Sequence, residues 1–270
     1  FVHGSNSAML LCALKRILHI KTPPILDVDI SSFHQAYTSG LIHRLSQFSS
    51  KAFDYMVYHT SSQYDYYKEH FPWLKDRCKF VPFGVDYNYW KLKTYKDIPE
   101  KDQYIVCVGY RKRDWSTLLK AFDRIDIPEK LYLIGNPDIK CDNPKVKVLP
   151  FIPIEKLMTY IINSKFSVVP LDDFNYSFGQ MTLLQQMALG VPILAADVPA
   201  IHDYIKCSVG VMPYTAYDIN ELALRLKEMA SKTKEDLRVM GDKNKLAIQT
   251  ILSEKEMAVQ FEEIIKQVLN

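Results

Sequence analysis

A short basic loop carries the residues best suited to bind a phosphate group. Gly109 closes a predicted strand, and Arg111, Lys112 and Arg113 follow it with three positive charges. The guanidinium group of arginine is a planar fork of donors that fits phosphate and carboxylate oxygens. Two alternatives stay open, because basic runs are common in solvated loops and Asp114 could pair with Arg113 at the surface. The pattern favours an anion site, with Lys112 facing water.

A glycine-containing turn at residues 177–180 is the second candidate for an anion site. It precedes a predicted helix that ends at Gly190, a residue suited to the left-handed conformation that follows many helices. The first N–H groups of a helix have no partner inside it, and the positive end of its dipole attracts phosphate. An ordinary helix and strand of a parallel sheet would show the same pattern. The candidate groups are the backbone amides near Phe178 and Gly179 and the side chains of Gln180 and Thr182.

Acidic residues close a predicted buried strand near the start of the chain. Ligands gather at the carboxyl ends of strands in open α/β sheets, so Asp29 is a candidate catalytic residue, with Asp27 and His34 beside it. The alternative is that these side chains cap the next helix. Asp27 and Asp29 have the spacing of a D-x-D motif but lie in the first half of the chain, and residues 172–173 lack that spacing. We therefore expect no essential metal.

Strands that alternate with helices must position these groups. Segments at 25–30, 55–59, 79–82, 104–109, 131–134, 146–149, 166–169 and 193–196 predict strands, with helical patterns between most of them, and 104–109 is a continuous apolar run closed by glycine. This alternation predicts an α/β fold with doubly wound parallel sheets. From residue 220 the pattern is helical, and Ser253 with Glu256 fits a capping box at the start of the last helix.

Composition limits the class of protein. The chain of 270 residues suits two domains, and 48% hydrophobic with 24% charged residues is typical of a globular protein. A net charge of +3 is too small to indicate nucleic-acid binding. Five cysteines without a C-x-x-C pair favour a reducing compartment over disulfides or a metal cluster. No apolar run approaches a membrane span and no signal peptide is visible, so we expect a cytoplasmic protein.

Two further expectations concern the start of the chain. Phe1 to His3 read as the end of a strand, which predicts that the first domain is incomplete at its N-terminus. The first predicted helix ends in a cluster of basic residues: Lys15, Arg16, His19 and Lys21. These residues suit the negative end of the helix dipole in a core helix. The alternative is a weak peripheral contact with the inner face of a membrane.

Several blocks in a specific order resemble the retaining glycosyltransferases of family 4 (group 1), which have the GT-B fold of two Rossmann-like domains. The blocks are 81–86, 108–109 with Arg111 and Arg113, 168–170, 187–192 and 193–197. One departure stands out: the family usually carries two glutamates eight positions apart, and here Ser177 and Gln185 take those places. An amide can bind sugar or ribose hydroxyls but supplies no carboxylate.

The resemblance implies a division of the chain and a set of roles. Residues 1–86 would be a partial acceptor-side domain, 87–252 the donor-binding domain, and 253–270 a terminal helix that crosses back to the first domain. The donor would be a nucleoside-diphosphate sugar, with no other cofactor, and the acceptor a glycan or a lipid-linked molecule. The loop at Phe151 would hold the base and Gln185 the ribose. The acceptor hydroxyl would attack the donor sugar on the same face from which the nucleotide leaves.

The expected chemistry follows from the charge that develops on the leaving diphosphate. Cations and helix N-termini stabilise such a charge, so Arg111 and Arg113 are expected to hold the diphosphate, with Arg113 and Asp29 as candidate catalytic residues. Two alternatives to a glycosyltransferase stay open. One is a nucleotide-sugar epimerase on the same fold, and the other is a sugar-nucleotide-binding module that has lost turnover with the paired glutamates.

Overall fold

The structure, a computed structural model, describes residues 2–3, 6–30, 33, 38–91, 96–109, 111–135 and 138–269. Two separate parallel sheets organise these residues, and each has its own apolar core. We call the part built on the first sheet the first lobe and the part built on the second sheet the second lobe. The domain boundaries expected at residues 86 and 252 remain a proposal.

Within the described residues the first sheet has four parallel strands in the order β1-β2-β3-β4. Its elements are β1 (Val2–His3), α1 (Asn6–Ile17), β2 (Leu26–Asp29), α2 (Gly40–Ser50), β3 (Tyr55–Tyr58), α3 (Gln63–His70) and β4 (Cys78–Phe80). Every residue of β3 is buried, as a continuous apolar strand covered on both faces requires. The core beneath α1, α2 and α3 is aromatic, with Phe33, Phe53, Tyr67 and Phe71 buried together.

The second sheet has six parallel strands in the order β10-β9-β8-β5-β6-β7 among the described residues. Its strands are β5 (Tyr104–Val108), β6 (Lys130–Ile134), β7 (Val146–Leu149), β8 (Phe166–Val169), β9 (Ile193–Asp197) and β10 (Val211–Thr215). Its helices are α4 (Tyr87–Lys91), α5 (Trp115–Asp123), α6 (Ile154–Ile162), α7 (Gln180–Ala188), α8 (Pro199–Ile205), α9 (Ile219–Ser231) and α10 (Lys234–Thr250).

The strand order of the second sheet reverses between β5 and β8. The chain runs outward from β5 through β6 to β7, then returns to β8 and runs the other way to β10. At such a switch point the loops after the two central strands turn to opposite sides, which leaves a crevice at their carboxyl ends. The basic loop follows β5 and the glycine turn follows β8, so the topology brings the two candidate anion sites together.

The last helix, α11 (Glu254–Leu269), packs against the first lobe. Ile264 is buried in a cluster with Leu26 and Val57 of the first sheet. Gly84 lies so close to the start of α11 that a Cβ atom there would stand 2.4 Å from the carbonyl oxygen of Ser253. The chain therefore enters and leaves the second lobe at one point, beside residue 84.

Most predicted elements are present, with ends shifted by one to three residues. The helix α10 continues without a break through Gly241. This glycine allows close packing: a Cβ atom there would stand 2.0 Å from the carbonyl oxygen of Gly190. The cap at Ser253 is confirmed by a 3.1 Å bond that its hydroxyl accepts from the backbone N–H of Glu256. His34 and Phe1, which were named from the sequence, lie outside the described residues. Among the described residues, no helix is long and apolar enough to cross a membrane.

Candidate active site

A cleft of about 340 Å³ opens between the two lobes at the carboxyl ends of β5 and β8. The second lobe contributes the loop after β5 and the start of α7. The first lobe contributes Ile30, which follows β2, and Phe83, which follows β4. The lining residues of the second lobe are Gly109, Arg111, Arg113 and Ser177 to Thr182. The structure thus places both sequence-predicted anion sites on one cavity.

Arg113 lies in the floor of this cleft and is 8% exposed. Its Nε donates to the carbonyl oxygen of Val108 at 3.1 Å, and one terminal nitrogen donates to the carbonyl of Arg111 at 3.2 Å. The other terminal nitrogen donates to the hydroxyl of Thr182, at 3.3 Å, in α7. These bonds hold the guanidinium group between the two loops that the sequence singled out.

Gly109 gives the guanidinium group its place. Its φ is +125°, a value that side-chain-bearing residues rarely adopt, and a Cβ atom there would stand 2.7 Å from a terminal nitrogen of Arg113. Only glycine satisfies both the turn after β5 and the close passage of this side chain. Gly109 therefore acts through its lack of a side chain.

The positive charge of Arg113 has no carboxylate partner within the part of the chain that the structure describes: none of the ion pairs found there includes it. Burial lowers the pKa of its guanidinium group, while Asp172 at longer range acts in the opposite direction. Arginine has five N–H donors, and three bonds to neutral oxygens leave donors to spare. A buried cation in this state favours an anion in the cleft.

The neighbours of Arg113 behave differently from one another. Asp114 does not pair with Arg113, as one alternative supposed, because its carboxylate accepts a 3.0 Å bond from the backbone N–H of Thr117 and caps α5. Arg111 lines the cleft from its exposed rim. Lys112 is exposed, with its ammonium 5.8 Å from the ring centre of Phe174. The loop thus offers one buried and one exposed guanidinium group to the cleft.

The start of α7 forms the opposite wall. Gly179 precedes the helix with a φ of +88°, and within the described residues no side-chain hydrogen bond caps the helix there. The amides of the first turn are therefore left to a ligand or solvent, at the end of the helix where the dipole is positive. Phe178 stands beside them, with its ring 5.8 Å from that of Phe174 and 6.4 Å from that of Tyr176.

Gln180 lines the cleft, and its side chain also bonds to both lobes. Its amide nitrogen donates to the hydroxyl of Thr60 at 3.2 Å and to the carbonyl of Ala200 at 2.8 Å. Both N–H donors are thereby used, and the side chain is 4% exposed. Gln180 joins the start of α7 to the first lobe, and its expected contact with phosphate or sugar stays a prediction.

Ser177 and Gln185, which stand where the family usually has glutamates, differ in their relation to the cleft. Ser177 is buried and lines the cleft. Gln185 is half-buried in α7, and it is not among the residues that line the cleft. Phe151 follows β7 at the same edge of the sheet, is 65% exposed and also lies outside the lining. The expected roles of Gln185 and Phe151 toward ribose and base stay predictions.

Asp29 has a different environment from the one expected of a catalytic carboxylate. It is fully buried, accepts a 2.5 Å bond from the hydroxyl of Tyr67, and accepts a 3.4 Å bond from the backbone N–H of Phe33. It does not line the cleft, although Ile30 next to it does. Its contacts tie the end of β2 to Tyr67 in the aromatic core of the first lobe, and its catalytic role stays a prediction.

Polar contacts hold the loop after β3 against the second lobe. The carboxylate of Asp203 accepts bonds from the backbone N–H of Ser61 at 2.8 Å and from its hydroxyl at 2.6 Å. The hydroxyl of Tyr204 accepts from the backbone N–H of Phe83 at 2.9 Å and donates to the carbonyl of His59 at 2.7 Å. We call these contacts, with the bond from Gln180 to Thr60, the lobe bridge.

The first-lobe side of the cleft was not predicted from the sequence. Phe83 belongs to one of the blocks that carried the resemblance, and its ring packs 5.0 Å from that of His59, yet no role was assigned to it. Ile30 follows directly on Asp29 and could have been named as the residue at the strand end. Thr60 and Tyr204 gave no signal, because their partners lie more than a hundred positions away.

Comparison with solved structures shows the same fold at low sequence identity. The structure of HepE from Anabaena in complex with UDP matches with a TM-score of 0.76 and 14% identity, over 97% of this chain and 76% of that one. Sucrose-phosphate synthase from Thermosynechococcus elongatus matches with a TM-score of 0.72 and 17% identity, over 94% and 70%. The trehalose 6-phosphate synthase from Burkholderia multivorans gives 0.73 and 13%, over 99% and 71%. No curated protein sequence matches the chain.

A family model decides the classification. The model of the glycosyl transferases group 1 matches residues 102–255, more than half of the chain. The matched segment contains β5, the basic loop, the glycine turn and α7, which together form the second-lobe side of the cleft. The chain belongs to the group 1 glycosyltransferases.

Proposed function

We propose that the protein transfers a sugar from a nucleoside-diphosphate sugar to a glycan or lipid-linked acceptor, with retention of the anomeric configuration. The observation that carries this proposal is the buried guanidinium group of Arg113, which has no carboxylate partner among the described residues and faces the uncapped start of α7 across one cleft. Two sources of positive potential on one cavity suit a diphosphate. The complexes of HepE with UDP and with UDP-glucose support the same class of donor.

In this proposal each group has a defined task. Arg113 and Arg111 bind the diphosphate and stabilise the negative charge that develops as the bond to the sugar breaks. The backbone amides near Phe178 and Gly179 bind the same phosphates from the other wall, and Thr182 holds Arg113 in place. The loop at Phe151 holds the base and Gln185 the ribose. The acceptor hydroxyl attacks from the side that the nucleotide leaves, and a donor phosphate oxygen takes its proton.

Calorimetric titration with UDP and with GDP tests donor binding. We expect at least one of the two to bind, and Arg113→Met to weaken that binding. Arg124→Met is the matched control, because Arg124 is exposed at the far end of α5 and bonds to Asn220. No heat with either nucleotide would contradict the proposal, as would equal weakening by the control.

Product analysis tests the reaction. With the donor and an acceptor, the proposal expects a glycoside whose anomeric configuration, read by NMR, equals that of the donor. Incubation of the donor alone separates the alternatives: an epimer of the donor sugar would identify an epimerase. Binding without transfer or hydrolysis would identify a binding module, and either result would replace the proposal.

A further inference from the structure

A buried polar pair joins α7 to the second sheet beneath the cleft. Ser167 lies in β8 and Gln186 lies in α7, and both side chains are fully buried. The other buried residues of β8 and of the last two turns of α7 are apolar. Burial of a polar group is unfavourable unless the group is hydrogen-bonded, so the partners of this pair explain its presence in the core.

Each polar atom of the Gln186 amide has a partner of the matching kind. The oxygen Oε1 accepts a bond from the hydroxyl of Ser167, and Nε2 donates to the backbone carbonyl of Thr182 at 2.9 Å. An amide turned the other way would bring Oε1 against the carbonyl oxygen of Thr182, where both atoms are acceptors. The pair therefore fixes the orientation of the amide as well as its place.

The pair is one link in a closed circuit that includes Arg113. Ser167 stands beside Val106 of β5 in the parallel ladder. Thr182 lies one turn before the glutamine of the pair on the same side of α7, and its hydroxyl accepts a 3.3 Å bond from a terminal nitrogen of Arg113. The guanidinium group returns to β5 through its Nε, which donates to the carbonyl of Val108 at 3.1 Å. The guanidinium group is thus held between β5 and α7, and the pair decides how α7 lies on the sheet.

The energetics of such pairs favour a role in position over a role in stability. Apolar contacts between a helix and a sheet have no preferred direction, so they alone do not select one register. Replacement of both partners of a buried hydrogen bond by apolar groups of the same shape can be nearly neutral. A buried and fully bonded polar network instead selects one arrangement of the elements around it. A shift of α7 along the sheet would move the hydroxyl of Thr182, and the guanidinium group with it.

We propose that Gln186, anchored by Ser167, is a positioning residue of the diphosphate site. It fixes α7 on the sheet, so that Thr182 holds the guanidinium group of Arg113 in the place where a diphosphate meets both the cation and the helix amides. This inference rests on the proposed function, because it assigns a residue to the same site. Gln186 is fully buried and does not line the cleft, so it acts on a nucleotide through Thr182 and Arg113.

Calorimetric titration of the full chain with UDP and with GDP tests the inference in a double-mutant cycle. Gln186→Met keeps the length of the side chain and removes both of its bonds, while the hydroxyl of Ser167 retains the carbonyl of Val106 at 3.2 Å as an acceptor. We expect Gln186→Met to weaken nucleotide binding by about two- to tenfold, the range for one net hydrogen bond. In the Arg113→Met background the same change should weaken binding no further. Equal weakening in both backgrounds would show that Gln186 does not act through Arg113, and would overturn the inference.

Two further variants separate position from folding. Ser167→Ala removes the anchor alone and should weaken nucleotide binding as well, which keeps the test decisive if circular dichroism shows that Gln186→Met does not fold. Asn244→Leu is the matched control, because Asn244 is a fully buried amide that accepts a 2.7 Å bond from the hydroxyl of Ser208 and donates to the carbonyl of Val191 at 2.8 Å. It should lower the midpoint of urea unfolding and leave nucleotide affinity unchanged. A loss of affinity equal to that of Gln186→Met would indicate a general loosening of the lobe and overturn the inference.

The same titrations distinguish failure of this inference from failure of the proposed function. Suppose that the wild type binds UDP or GDP, that Arg113→Met weakens this binding, and that Gln186→Met and Ser167→Ala leave it unchanged. The proposed function then stands and the positioning role is wrong. If neither nucleotide binds to the wild type, the proposed function is wrong and the positioning role fails with it.

Discussion

Replacement of Arg113 by methionine separates binding from folding in this protein. Methionine keeps much of the side-chain volume and removes the charge, its three bonds and its spare donors. Loss of a charge-assisted contact to phosphate costs about 1.5–3 kcal/mol, so we expect nucleotide affinity to fall by about 10- to 150-fold. The buried charge, however, is unfavourable to the empty protein, because burial lowers the pKa of the guanidinium group. Its removal should cost the unliganded fold little, within about 1 kcal/mol.

The two effects predict a stability difference that appears only with ligand. A nucleotide at 100 times its dissociation constant stabilises the wild-type protein by about 2.7 kcal/mol. If the variant binds about 30-fold more weakly, the same concentration stabilises it by about 0.9 kcal/mol. The difference of about 1.8 kcal/mol corresponds to a loss of about 4–7 °C in the ligand-induced rise of Tm for a chain of this size.

Thermal unfolding with and without UDP or GDP, beside calorimetric titration, measures both quantities. Arg113→Lys keeps the charge without the planar fork and should fall between the wild type and Arg113→Met. A loss of about 2 kcal/mol or more in Arg113→Met without ligand, together with an unchanged nucleotide affinity, would refute the assignment of Arg113 to the diphosphate. Arg113 would then be a strut between the two loops and not a ligand of the diphosphate.

Three further predictions concern groups around the cleft. Asp29→Asn should lower turnover far less than the 10²- to 10⁴-fold expected for loss of a general base, because the carboxylate is buried against Tyr67; a loss of that size in kcat would restore its catalytic role. Gln180→Ala should cost about 1–3 kcal/mol in urea unfolding, since it leaves the buried partners of the amide unpaired; an unchanged midpoint would contradict this. Burial raises the pKa of Asp27 well above its ordinary value, with the charge of Asp29 as the second cause. The folded state then keeps a proton that the unfolded state loses as pH rises above about 4. In unfolding experiments at a series of pH values, Asp27→Asn should therefore become more stable relative to the wild type as pH rises. A difference in unfolding free energy that does not change with pH would refute the argument.

The fold was largely predictable because strands that are buried on both faces can be recognised in the sequence as apolar runs. The runs at 104–109 and 166–169 became β5 and β8, and Gly190 adopts the left-handed φ of +74° expected after α7. Local residue types carry such information. The packing role of Gly241 was not predictable, because it depends on the approach of Gly190, which lies 51 positions earlier in the chain.

The part of the candidate site that a single loop forms was predictable from the sequence. The part whose side-chain positions depend on partners distant in the chain was not. Arg113 and the start of α7 share a cleft because both follow the central strands of a reversing sheet, a relation that the order of motifs already contains. The same reasoning from strand ends led to Asp29, whose partner Tyr67 lies 38 positions later. Position at a strand end says that a side chain is near the cleft edge and does not say which way it points.

The cleft needs both lobes, although every motif that identified it lies in one. Arg113 and the amides at the start of α7 belong to the second lobe, whereas Ile30 and Phe83 close the cavity from the first. The lobe bridge fixes this arrangement through hydrogen bonds between side chains and backbone, and Gln180 belongs at once to the bridge and to the cleft. The charge and the backbone geometry that suit a diphosphate depend on residue types within short segments, so they can be predicted from the sequence. The walls that would face a sugar and its acceptor arise from contacts between distant segments, and those walls are therefore what the sequence alone leaves open.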